Sequence, residues 1–196
     1  MRTLPGQEPV QQAACQALAN LADRDDGTRV KIAAAGGLVA IVAGMAAHKR
    51  SAGVQEQACL ALTNLTRDAD NQVGVAAASG IEAILASMAA HKTSAGVQEM
   101  ACAALANLTF KNDSNKVAVA AAGGIEALAT AMETHQARAL LQENACVALY
   151  CLAGNASLRG RIKAAGGVEL AKRAVSASDA TALTKDFCKR LLDLLA

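Results

Sequence analysis

Six cysteines and three histidines are the side chains of this 196-residue sequence best suited to nucleophilic or soft-metal chemistry. Their spacing decides what they do. Cys15, Cys59, Cys102 and Cys146 are separated by 44, 43 and 44 residues, and Cys188 follows after a further 42. His48, His91 and His135 keep the same beat. If successive units stack at a helix-packing distance of ~8–10 Å, equivalent cysteines stand too far apart to form a disulfide or to share a zinc ion. Cys146 and Cys151 lie five apart on one predicted helix and point different ways. The expectation is therefore small buried thiols in a reducing compartment. The histidines are expected to close one helix per unit, where a positive tip suits the C-terminal end of the dipole. No metal site, no cofactor site and no catalytic constellation emerges, and the chain reads as a non-enzyme.

The elements that carry these residues repeat as well. "ACLALTNLT" at 58–66 returns as "ACAALANLT" at 101–109, with relatives "AACQALANLA" at 13–22 and "ACVALYCLA" at 145–153. The later Gly of "AAAGGL", "AAASGI", "AAAGGI" and "KAAGGV" is Gly37, Gly80, Gly124 and Gly167. Met45, Met88 and Met132 keep the phase. Three markers in register mean an internal repeat of about 43 residues, a period of helical solenoids.

Composition narrows the class. The chain is 53% hydrophobic but only 2% aromatic, so small alanines must pack helices that approach closely. Two prolines and many alanines argue against a β fold. A net charge of +2 is too mild to argue for nucleic acid. No N-terminal apolar run resembles a signal peptide, and no stretch is long and apolar enough to span a bilayer. Without a secretory signal, the glycosylation-like strings at Asn64, Asn107, Asn112 and Asn155 are read as coincidental. Cytoplasmic or nuclear localisation is expected.

Residues 70–110 show one unit in full. "DNQVGVAAASG" predicts a short helix stopped by Gly80, with Asp70 or Asn71 as its cap. "GIEAILASMAAH" predicts a second, with Ile81, Ile84, Leu85 and Met88 on one stripe. "VQEMACAALANLTF" predicts a third, burying Val97, Ala101, Ala104, Leu105 and Leu108. Three helices per unit, a glycine corner and the "ALxNL" phrase on the last helix resemble the armadillo repeat. The resemblance covers nearly the whole chain. It implies an all-α, right-handed superhelical solenoid. One domain over 1–196 is expected, with a partial repeat at 1–24 and full repeats at about 27–68, 70–111, 114–155 and 157–196.

The resemblance also suggests a site. On a wheel, Val54, Ala58, Ala61, Leu62 and Leu65 cluster on one side of the third helix, and Glu56, Leu60, Thr63, Asn64 and Arg67 on the other. In armadillo proteins third helices line the concave surface, and their Asn side chains form a ladder that grips an extended peptide. A carboxamide offers the donor and acceptor that a peptide unit needs. The equivalent positions here are Asn20, Asn64, Asn107, Cys151 and Asp193, so the pattern holds for three rungs and then departs. The family often has a Trp four residues before the Asn. Those places hold Gln16, Leu60, Ala103, Val147 and Lys189, which argues against an importin-α-like clamp on basic peptides. Eight residues before the Asn stand Gln12, Glu56, Glu99, Glu143 and Lys185, and three consecutive glutamates suit a basic peptide. Phe110 and Tyr150 are candidate anchors beside the ladder, since aromatics dominate hot spots.

The expected function is protein–protein interaction through an extended segment of a partner, possessing basic side chains if the glutamates read it. A groove of roughly 30–40 Å accommodates about nine to twelve extended residues. The alternatives are a scaffold whose edges or ends bind folded partners while the groove stays empty, and importin-α-like recognition of a basic peptide. The N-terminal end looks uncapped: "MRTLPGQ" is a loop-like lead, and Val10, Ala14, Ala17, Leu18 and Leu21 present an apolar stripe. That stripe suggests either a longer array or self-association through the first helix.

Overall fold

The structure, a computed structural model, describes residues 7–196. The lead at 1–6 lies outside the described residues. A lone helix α1 (Glu8–Arg24) is followed by four helix triplets. These are α2 (Asp26–Ala34), α3 (Gly37–Ala47) and α4 (Ala52–Leu65); α5 (Ala69–Ala77), α6 (Gly80–Ala90) and α7 (Ala95–Thr109); and α8 (Asp113–Ala121), α9 (Gly124–Thr134) and α10 (Ala139–Ala153). In the last triplet a 3-10 turn (Ala156–Leu158) leads into α11 (Arg159–Ala164), α12 (Gly167–Ser176) and α13 (Ala182–Leu195). No strand occurs among the described residues. The fold is an all-α armadillo-type solenoid.

Local chemistry starts and turns each unit. The side chains of Asp25, Asp68 and Asn112 accept from the backbone N–H three residues on, capping α2, α5 and α8. Asn155 accepts from the N–H of Ser157, two residues on, at the start of the 3-10 turn. Asp68, not Asp70 or Asn71, is thus the cap of α5; a cap must precede the first helical residue, here Ala69. Asn112 and Asn155, two of the glycosylation-like asparagines, serve as caps. Between first and second helices the chain bends by 68°, 72° and 71° in the first three triplets. The bend passes through a left-handed residue: Gly36 (φ 78°), Ser79 (59°), Gly123 (90°) and Gly166 (81°). The glycine that follows allows close approach. A Cβ on Gly80 would lie 2.3 Å from Val75 Cγ1 and 2.8 Å from the Val75 carbonyl oxygen.

Tertiary packing runs through the third helices. α1, α4, α7, α10 and α13 stack as one layer, backed by the second helices. Val54, Ala58, Ala61, Leu62 and Leu65 are wholly buried, as are Val97, Ala101, Ala104, Leu105 and Leu108. The alanines let backbones approach, and each leucine contributes about 1.5–3 kcal/mol by leaving water. Met45, Met88 and Met132 of the second helices are buried in the same core. No single helix among the described residues is long and apolar enough to cross a membrane.

All six cysteines are buried with free thiols. Desolvation raises the Cys15 thiol to about 11 and the Cys59 thiol to about 12, so these two are inert. The expectation that no two cysteines of neighbouring repeats approach is corrected at one place. Cys146 Sγ lies 2.7 Å from Cys188 Sγ. Packing of the last triplet on α10 brings the side chains together where the uniform step had kept them apart.

Candidate functional site

Two of the three ladder asparagines make internal hydrogen bonds. Asn64 Nδ2 donates to the Ala19 carbonyl at 2.9 Å, and Asn107 Nδ2 donates to the Thr63 carbonyl at 2.8 Å. Each carboxamide therefore reaches back to the third helix of the preceding repeat. Both residues are half-buried, whereas Asn20, with no described third helix before it, is exposed. Neither Oδ1 accepts a hydrogen bond among the described residues, and each Nδ2 keeps a second hydrogen. Thr63 Oγ1 donates within its own helix to Cys59 O at 2.9 Å and lies 3.3 Å from Met100 O of α7. Leu60 is half-buried against the core.

The glutamate column does other work. Each carboxylate reaches the beginning of the next third helix, where free N–H groups and the positive end of the dipole favour an anion. Glu56 lies over the first turn of α7, so close that a Cβ on Gly96 would come within 2.2 Å of its Oε2. Glu99 is buried, its side chain 10% exposed, and accepts from Arg138, the residue that starts α10, at 3.1 Å. Glu143 accepts from the hydroxyls of Thr181 and Thr184 at the start of α13, the latter at 3.2 Å. Glu99 and Glu143 are thus not free groove carboxylates. The reason is geometric: eight residues before the Asn is the first turn of one third helix, level with the first turn of the next.

The two aromatics do not form one pocket. Phe110 is 52% exposed, with Lys111 Nζ 5.2 Å from its ring centroid. Tyr150 is half-buried and packs edge-on against Phe187, with centroids 5.3 Å apart. Phe110 follows the last residue of α7, where the chain leaves the helix with ψ of 117°.

Two further columns escaped the sequence reading. Gln98 Nε2 donates to Met88 O at 2.8 Å and to His91 O at 3.1 Å, clipping the C-terminal end of the second helix to the third. Gln55 and Gln142 make the same pair of bonds. Asn71 and Asn115 Nδ2 donate to Leu65 O and Leu108 O, and each also approaches a carbonyl of the preceding repeat. The available signal was a polar residue recurring on a buried stripe. The histidines are helix C-caps, and His91 and His135 use Nε2 to reach Lys49 O and Lys92 O of the preceding loop. A carbonyl only accepts, so Nε2 carries the proton. The position equivalent to Lys49 for His48 falls before the described residues.

Charge pairs edge the same layers. Arg161 grips Glu126 with two bonds, at 2.7 and 2.8 Å, and donates to Ala120 O at 2.6 Å. These bonds hold the Glu126 carboxyl below its ordinary value. At the upstream end, α1, α2 and α3 enclose an apolar groove of about 750 Å³ lined by Ala14, Ala17, Leu18, Ile32 and Val39.

Comparison with known proteins agrees with this geometry. The chain matches the family model described as LRRK2 ARM repeat over residues 3–124, more than half its length. Among solved structures, an engineered protein from the Northeast Structural Genomics Consortium superposes with a TM-score of 0.86 at 28% identity, covering 97% of this chain and 76% of that one. A second engineered protein of the same origin superposes at 0.82 and 28% identity, covering 97% and 74%. A designed armadillo repeat protein in complex with the peptide (KR)4 shares the fold at 0.83 and 19% identity, covering 97% and 77%. No curated protein sequence matches it.

Proposed function

The chain belongs to the LRRK2 ARM repeat family, and on that premise we propose that it binds an extended segment of a partner protein along the face of its third helices. One observation carries the reading. Asn64 and Asn107 are each fixed by one hydrogen bond to the preceding third helix, which leaves an unused carbonyl oxygen and N–H at successive repeats. A carboxamide held this way has already lost its rotamer freedom, so pairing with a peptide unit costs less ordering. The designed armadillo repeat protein that shares the fold holds the peptide (KR)4, which supports peptide recognition on such a scaffold.

The proposed recognition is of peptide backbone first. Glu99 and Glu143 are engaged, so of the three groove glutamates Glu56 is the one whose carboxylate is left to a basic side chain. Phe110 offers an apolar contact one turn beyond Asn107. The partner is met in the cytoplasm or nucleus.

The test is a peptide selected from a random library on the intact chain. Each backbone bond is worth ~0.5–1.5 kcal/mol, so Asn64→Ala with Asn107→Ala weakens binding roughly ten- to a hundredfold. Unchanged affinity in a folded double variant overturns the reading.

The apolar groove of α1, α2 and α3 favours a second contact. Two copies pairing there bury Val39 and Leu18 against like surfaces, whereas the charged outer face of α13, with Lys185 and Lys189, fits it poorly. Sedimentation tests this: the chain dimerises and Ala17→Glu restores the monomer. A monomer at high concentration removes the proposal.

A further inference from the structure

The five cysteines of the third helices form one column through the core, yet only its last step is a contact. Cys146 Sγ of α10 and Cys188 Sγ of α13 are 2.7 Å apart, both wholly buried. No sulfur–sulfur contact is found among Cys15, Cys59 and Cys102, although they occupy the same repeat position. A disulfide requires about 2.05 Å between sulfurs, so closing this pair asks for a shift well under an ångström.

We propose that Cys146 and Cys188 are an oxidative modification site: a dithiol that a hydroperoxide closes into a disulfide between the last two repeats. The step balances. Thiolate Cys188 attacks the peroxide O–O bond, giving a sulfenic acid and releasing water or an alcohol. The Cys146 sulfur then displaces the sulfenic oxygen, which leaves as a second water. Two thiols lose two electrons and two protons, and the peroxide takes both.

The local chemistry divides the roles. The two thiols share one hydrogen bond; that contact lowers the Cys188 pKa and, together with burial, raises that of Cys146. Cys188 is therefore the attacking sulfur and Cys146 the resolving one. Access comes from the fold. Among the described residues α13 stacks on one other third helix, α10, where α4, α7 and α10 each stack on two, so it has fewer contacts to open. Cys59 and Cys102 lie in the interior of the stack, with neither an opening end nor a partner sulfur.

Closure changes the protein mechanically. The covalent link spans 42 residues of chain and joins the third helices of the last two repeats. The repeat that carries α13 is then tied covalently to the one that carries α10.

The experiment treats the whole chain with hydrogen peroxide, quenches it and counts thiols after denaturation. The expected result is a fall from six titratable thiols to four, with one cross-linked peptide pair joining Cys146 to Cys188. Cys188→Ala and Cys146→Ala each abolish that link while keeping the helical signal. Amide exchange in residues 182–195 slows after oxidation, and reduction with dithiothreitol restores it. Six thiols surviving in the treated protein overturn the proposal, as does a link that forms equally with Cys151.

Discussion

Asn107 Nδ2 donates to the backbone carbonyl of Thr63 at 2.8 Å, binding two repeats across 44 residues of chain. The bond gives the ladder a structural duty beside its proposed recognition duty. A single Asn107→Ala change therefore lowers stability as well as binding, by ~0.5–1.5 kcal/mol in urea unfolding. Asn20→Ala, at the exposed rung, leaves stability within about 0.5 kcal/mol. Equal costs at the two sites would show that the inter-repeat bond contributes nothing.

The glutamine clip predicts a larger loss. Gln98→Ala strands the buried Met88 carbonyl and removes one of two bonds to His91 O, which keeps the Ser94 N–H, and costs about 1–3 kcal/mol. Gln98→Glu costs more, because a carboxylate then faces two acceptors. Thermal unfolding ranks the two variants; a Glu variant as stable as wild type contradicts the bonding seen here.

At the corner of the second repeat, Ser79 holds φ of 59°, where its sister residues are glycine. Ser79→Gly relieves a strain of roughly 1–2 kcal/mol, less the ~0.5–1 kcal/mol by which glycine loosens the unfolded chain. The net expectation is a gain of about 0.5–1 kcal/mol. Gly80→Ala has the opposite sign, since its Cβ meets the Val75 carbonyl oxygen at 2.8 Å. A destabilised Ser79→Gly protein would falsify the strain argument.

The Glu126 carboxyl titrates below its ordinary value because Arg161 hydrogen-bonds its charged form. A depressed acid contributes stability above its unfolded pKa and loses it as pH falls through the folded one. The pair is half exposed, so the contribution is small and salt-sensitive. Arg161→Ala moves the Glu126 titration upward in side-chain carboxyl NMR, and an unmoved titration refutes the assignment.

Hydrogen exchange separates the end of the stack from its middle. α7 is covered by neighbouring third helices on both sides, α1 on one side among the described residues. Amides of 10–22 exchange well before those of 97–109 in the monomer. Equal protection there means that α1 has a second partner.

The sequence alone determined the repeat, the helices and the core stripe. Period and apolar spacing are properties of the chain: Cys59, Cys102 and Cys146 recur in phase, and Leu62, Leu65, Leu105 and Leu108 mark the buried side wherever the helix docks. The Asn column was legible for the same reason, as a polar residue opposite that stripe. Its partners were not. Whether Asn64 meets a ligand, a loop or Ala19 O depends on the rise and rotation between repeats, which no single unit encodes. The same stacking step set Glu99 against Arg138 rather than free in the groove, and drew Cys188 onto Cys146 while leaving Cys15, Cys59 and Cys102 apart. Local patterns fix which face a residue occupies. Contacts between faces are settled by how the helices pack, since a shift of an ångström or two between repeats decides which atoms meet.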